Sequence, residues 1–224
     1  MLRKTGLLFL GALLVGVPSA WAQKVEVSFK GGYTASEGVT SADRALVGAQ
    51  YNALTVDSGA AFHFTFGVFL TENVQAEFLW GQQSSRLQAD GPFGKTPLSD
   101  LTINNYMVNF VQNWGASDSK VRPYAFGGLG ATNYSFGDLL VARPPNVQSG
   151  QIESTTRFSS NWGGGVKFYF SPNIGASVGL RWTPTYIKSD PAGVWCDPWY
   201  GCWQLVNNQY SHQFETAFGL NFRF

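Results

Sequence analysis

The chain has 224 residues with 15 basic and 14 acidic side chains, a balance that leaves no basic surface for nucleic acid and no acidic tail. It is rich in aromatics (18 Phe, 9 Tyr, 8 Trp) and in glycine (26), and only 13% of its residues are charged. Soluble β-sandwiches share the glycine content, so composition alone does not separate them from membrane strands.

In chain order, the first element reads as an export signal. Arg3 and Lys4 precede an apolar stretch from Gly6 to Val17, Pro18 breaks it, and Ala20-Trp21-Ala22 supplies the small residues that signal peptidase reads. The stretch is shorter than the ~20 residues of a spanning helix, so 1–22 is expected to be cleaved and 23–224 to form one domain. Cleavage removes Arg3 and Lys4, leaving 13 basic against 14 acidic residues.

Period-two alternation then recurs along the whole chain. Val25, Val27, Phe29 and Tyr33 share the first apolar face, and a long loop is expected from Thr34 to Gly59. Phe62 to Leu70 alternates next, Thr71-Glu72-Asn73 turns, and Val74, Ala76, Phe78 and Trp80 return. A second long loop is expected over Ser84 to Asp100, where Gly-Pro and Thr-Pro pairs read as breakers. The fourth strand, Leu101 to Trp114, turns through Ala116 to Lys120 into a glycine-rich fifth, Arg122 to Phe136, whose register is left open. A third loop, Gly137 to Ser154, leads to a sixth strand with Phe158, Trp162, Val166 and Phe168 on one face. Ser171-Pro172-Asn173 turns into the seventh, Ile174 to Tyr186; a fourth loop, Lys188 to Asn208, precedes the last strand, Tyr210 to Phe224.

Connections therefore alternate long and short, the layout of a barrel with short periplasmic turns and long extracellular loops. The fold expected is all-β, a closed eight-stranded antiparallel up-and-down transmembrane β-barrel in the outer membrane. Eight apolar faces turned outward need lipid, and closure satisfies the backbone there. Tyr33, Trp80, Trp114, Trp182 and Tyr210 suit the two headgroup girdles.

Three segments look familiar. Arg122-Pro123-Tyr124-Ala125-Phe126-Gly127-Gly128-Leu129-Gly130 resembles the Pro-Tyr strand of the small barrels related to outer-membrane protein A. Asn161 to Phe168 with Ser171-Pro172-Asn173 and Arg181 looks like that family's next hairpin. The final Phe222-Arg223-Phe224 is similar to the signal read by the barrel-assembly machinery, which the resemblance implies as a partner during biogenesis. Members with a peptidoglycan-binding domain continue past the barrel, so that anchoring is not carried over.

Parity points Glu26, Lys30, Glu77, Lys167, Arg181, Glu215 and Arg223 into the lumen. Spacing from the periplasmic ends sets Glu215 beside Arg181, Glu77 and Lys167 lower, and Glu26 and Arg223 near the floor. So narrow an interior is filled by side chains, and unpaired charges there are costly, so these groups are expected to pair. A static plug and a gate that exchanges partners both fit. His212 is expected outward near the upper rim, and His63 inward without a Ser or Asp partner. Ser211 and His212 fall on opposite faces and do not converge as nucleophile and base.

Cys196 and Cys202 read as a local disulfide, since two thiols without nearby His do not complete a metal site. Around them Trp195, Trp199, Tyr200 and Trp203 make an aromatic knob that fits either a surface-binding loop or a lid. The function expected is structural and surface-directed, in a monomer contacting outer-membrane lipid and lipopolysaccharide, with no cofactor, metal or enzymatic role. A narrow porin-like channel is the alternative, and a lipid-modifying enzyme the remote one. No motif names an extracellular ligand.

Overall fold

The computed structural model describes residues 25–36, 53–91, 94–139, 154–186, 194–197, 201–204 and 210–224. The expected signal peptide, 1–22, lies outside the described residues. The elements are β1 (Val25–Ser36), β2 (Ala53–Val56), β3 (Gly59–Phe69), β4 (Val74–Gly91), β5 (Gly94–Asn113), β6 (Val121–Leu139), β7 (Thr155–Tyr169), β8 (Ile174–Tyr186), β9 (Val194–Asp197), β10 (Gly201–Gln204) and β11 (Tyr210–Arg223).

Eight of these close an antiparallel barrel in the order β3-β1-β11-β8-β7-β6-β5-β4, with β4 returning to β3. The last strand seals against the first, Val27 opposite Phe222 and Phe29 opposite Leu220. Val25 and Phe224 exchange both backbone hydrogen bonds at the seam, at 3.2 and 2.8 Å. Closure leaves no sheet edge in the membrane-spanning part, which hydrocarbon would not tolerate.

The register fixes the shape. A path through directly opposed residues runs Val25, Val68, Ala76, Phe110, Gly127, Trp162, Trp182, Phe214 and back to β1 at Ala35. It arrives ten residues above its start, and such a stagger around eight strands demands a strand tilt of about 40°. Alternation then sorts the side chains as parity predicts. Phe29, Tyr33, Phe78, Phe110, Trp162, Phe168, Phe218 and Leu220 are exposed on the outside, while Ser28, Gln75, Asn109, Asn161 and Asn221 are buried within.

Two intervals expected as loops carry strand in their described parts. β4 and β5 take up the described residues of Ser84 to Asp100, with Gly91 opposite Gly94. The Thr-Pro pair does not break β5, because a register shift between Leu87 and Gln88 leaves Leu98 unpaired and Pro97 opposite Gln88. A bulge accommodates a residue that has no N–H to donate. Gly94, the first residue of β5, takes a left-handed φ of 109°, which glycine adopts without strain. In the first expected loop, β1 continues to Ser36, and β2 pairs with β4 above β3. β2 and β3 behave as one strand interrupted at Asp57-Ser58. There Asp57 N donates to Arg86 O (2.9 Å), and Ser85 Oγ and Gln88 Nε2 donate to Asp57 oxygens (2.5 and 3.2 Å).

The wall is consequently uneven. Spanning strands need only ~9–11 residues, yet β4, β5 and β6 have 18, 20 and 19, against 12 for β1 and 13 for β8. The tall side forms a blade with polar residues outside, Gln82 bonded to Asn104 and Arg86 to Asp100, each at 3.2 Å. Its inner face is apolar: Leu101, Ile103 and Tyr134 pack with Val56 and Phe136.

Candidate functional site

Lumen glycines make room for large neighbours. A Cβ on Gly81 would strike the His63 imidazole, and one on Gly165 or Gly179 would meet the Tyr124 hydroxyl and adjoining backbone. Small residues on one strand thus seat rings from the next. Tyr124, inside the segment that resembles the Pro-Tyr strand, settles the open register of the fifth strand: it and Arg122 both face inward.

The floor is built around Glu26, which is 1% exposed. Its carboxylate accepts from Lys167 Nζ at 2.5 Å and from Tyr169 Oη at 2.6 Å, with Arg223 Nη2 3.6 Å away. Arg223 lies over the Tyr169 ring, 4.2 Å from its centroid, and donates to Tyr169 Oη (2.5 Å) and to Ser117 O (3.1 Å). Arg122, also 1% exposed, donates to Glu72 O (2.9 Å) and Asn73 Oδ1 (2.8 Å). The floor therefore ties down two periplasmic turns, and Asn173 Nδ2 bonds the third to Arg223 O at 2.8 Å.

Higher up, Asn109 Nδ2 donates to Glu77 (3.0 Å) and Asn161 Nδ2 to Asn109 (3.0 Å). Lys30 forms no ion pair among the described residues; its ammonium sits 5.4 Å from the Tyr124 ring centroid. At the neck, Glu215 accepts from Arg181 Nη2 (2.5 Å), His63 Nε2 (2.6 Å) and Thr34 Oγ1 (3.0 Å). A cavity of about 30 Å³ touches Lys30, Glu77, Tyr124, His63, Arg181 and Glu215, room for about one or two waters. Above the neck come the amides of Asn105, Gln213 and Gln83, and the hydroxyls of Thr132, Ser159 and Thr185. The apolar blade face follows.

The expected pairings are sharpened in two places. Arg181 and Glu215 do pair, and Glu26 and Arg223 do meet across the seam, but Lys167 belongs to the floor with Glu26 and leaves Glu77 to an amide. Strand tilt lowers Lys167 relative to a residue count taken strand by strand. His63, expected inward, shares Glu215 with Arg181, an acidic partner that parity alone did not supply. A settled register for the fifth strand would have found Arg122 and Tyr124, and Tyr169 shares the inward parity of Lys167 two residues before it.

Ser211 is buried inside, and His212 is outside, where its Nδ1 accepts from Trp182 Nε1 at 3.3 Å. Phe222 packs edge-on to Phe29, centroids 6.5 Å apart, and Phe224 is exposed at the periplasmic rim. Beyond β8, β9 and β10 pair as a hairpin with Cys196 directly opposite Cys202 and Trp195 opposite Trp203. Trp199 and Tyr200 lie outside the described residues.

No curated protein matches the chain. Among solved structures it is similar to outer membrane protein OprG of Pseudomonas aeruginosa, with 14% identity, a TM-score of 0.54, and 91% of this chain and 96% of that one covered. Neisserial surface protein A is similar at 13% identity and a TM-score of 0.53, covering 90% and 97%. Outer membrane protein AlkL is similar at 13% and 0.50, covering 90% of each. Identities so low speak to fold alone. A closed barrel with its apolar faces outward agrees with the match of residues 5–222 to the outer membrane protein beta-barrel domain, and the chain belongs to that family of outer-membrane proteins.

Proposed function

We propose that the protein is a closed structural barrel of the outer membrane that presents surface loops and conducts no solute. The observation that carries this is side-chain bridging across the lumen at successive levels. Lys167 of β7 reaches Glu26 of β1, Arg181 of β8 reaches His63 of β3, and Asn105 of β5 reaches Gln213 of β11 at 3.4 Å. Side chains rather than water fill an interior of this width. In planar bilayers the purified chain is expected to give no resolved conductance steps. Sustained steps from the unmodified protein would overturn the reading. The second reading, a gated narrow channel, has one observation in its favour: Glu215 is shared by two competing donors, Arg181 and His63. Under it, Arg181→Ala changes conductance; under ours, both proteins stay silent.

The closed sheet supports a monomer, and Phe222 and Phe224 at the seam are consistent with an assembly signal. Catalysis has no support in Ser211 and His212, which face opposite sides of β11. Surface presentation would fall to the β9–β10 hairpin. We assign it a Cys196–Cys202 disulfide, because directly opposed antiparallel residues stand ~4.5–5.5 Å apart at Cα, within the disulfide range. Peptide mapping of the exported protein without reductant should recover the two cysteines in one linked peptide; two free thiols would refute the bridge.

A further inference from the structure

Outward faces at the upper rim differ on opposite sides of the barrel. On β5 the apolar series Phe110, Val108 and Tyr106 gives way to Asn104, Thr102 and Asp100. On β11, diametrically across, Phe222, Leu220, Phe218 and Phe214 are followed by two more rings, His212 and Tyr210. At ~3.3 Å per residue and a tilt of ~40°, Tyr106 stands about 18 Å above the floor and Tyr210 about 33 Å. The hydrocarbon band of such barrels is ~25 Å tall. Tyr106 falls within it; Tyr210 stands clear of it.

The upper rings form one connected ribbon. Trp182 lies 6.2 Å from Phe214 at 10° between planes and 5.8 Å from His212 at 30°. His212 lies 6.4 Å from Tyr210 at 16°, and Tyr210 meets Tyr186 at 5.5 Å. Trp182, Phe214 and Tyr210 are 38%, 49% and 48% exposed. Trp182 holds Nδ1 of His212 as an acceptor, so in the neutral ring the other nitrogen carries the proton and can donate.

We propose that this ribbon on β8 and β11 is a binding site for the sugar headgroup of outer-leaflet lipopolysaccharide. Its lower rings are continuous with the lipid-facing surface, which identifies the occupant as the lipid's own upper part. The C–H face of a sugar is weakly positive and complements the negative face of an aromatic ring. No Lys or Arg belongs to the ribbon, so the contact is with rings and hydroxyls rather than with lipid phosphates.

The full chain in phospholipid nanodiscs is titrated with lipopolysaccharide carrying its core oligosaccharide and, separately, with lipid A, and binding is read by native mass spectrometry. His212→Ser with Tyr210→Ser should weaken the core-bearing lipid roughly tenfold and leave lipid A unchanged. His212→Phe with Tyr210→Phe, which keeps the rings, should retain most of the binding. Equal affinity for both lipids, an unchanged serine variant, or a ribbon whose loss dissolves a protein dimer instead would each overturn the proposal. An outward control on the blade, Thr102→Ala, should change neither lipid's binding.

Discussion

Replacing Glu26 with leucine should destabilise the folded barrel by about 3–5 kcal/mol, the range for breaking a buried ion pair by removing one partner. Glu26 is the acid that Lys167, Tyr169 and Arg223 converge on. Without it, an ammonium that is 3% exposed is left with a 3.4 Å bond to the Gln75 carbonyl and the faces of Tyr124 and Phe69, and Arg223 loses the carboxylate 3.6 Å away. Urea unfolding in phospholipid vesicles, followed by tryptophan fluorescence, measures the change. The double variant Glu26→Leu with Lys167→Met should recover part of the loss, because removing both partners is often near neutral. A single-variant change below about 1 kcal/mol would mean that water enters the floor and screens it.

The second large effect is expected at the neck. Glu215→Leu should also destabilise by about 3–5 kcal/mol, since it strands a buried guanidinium. Arg181 would be left facing His63 Nε2, 3.1 Å away, which accepts from it only once the imidazole carries its proton on Nδ1 instead. Adding Arg181→Met should recover more here than at the floor, because His63 can stay neutral whereas Arg223 cannot shed its charge. Equal recovery at both sites would show that the third partner carries no weight.

Much of this architecture was legible because alternation, turn spacing and aromatic placement all point the same way. The short turns at Thr71-Glu72-Asn73 and Ser171-Pro172-Asn173 and the inward set from Glu26 to Arg223 follow from period and parity alone. The blade was not legible, because Gly-Pro and Thr-Pro mark loops in most contexts. Here a bulge keeps the Thr-Pro pair within a paired strand, and Gly91 of the other pair is itself paired, opposite Gly94. Partner choice in the lumen was half legible. Parity tells which residues face inward, but which pairs meet depends on the stagger around the ring, and stagger is a property of eight registers together. Lys167 found Glu26 rather than Glu77 for that reason.

The bulge at Asp57-Ser58 has a further consequence for a protein living at high density. Above it, β2 pairs with β4 and, among the described residues, with no other strand. Val56 lies opposite Leu87 whereas Ala61 lies opposite Gln83, so β2 stands one residue out of step with β3 along the same partner. Asp57 pins that offset through Ser85 and Gln88. A strand added by a neighbouring copy must match its partner residue for residue, and one aligned on β2 falls out of step at the offset. Raised walls can therefore touch without joining into one continuous sheet.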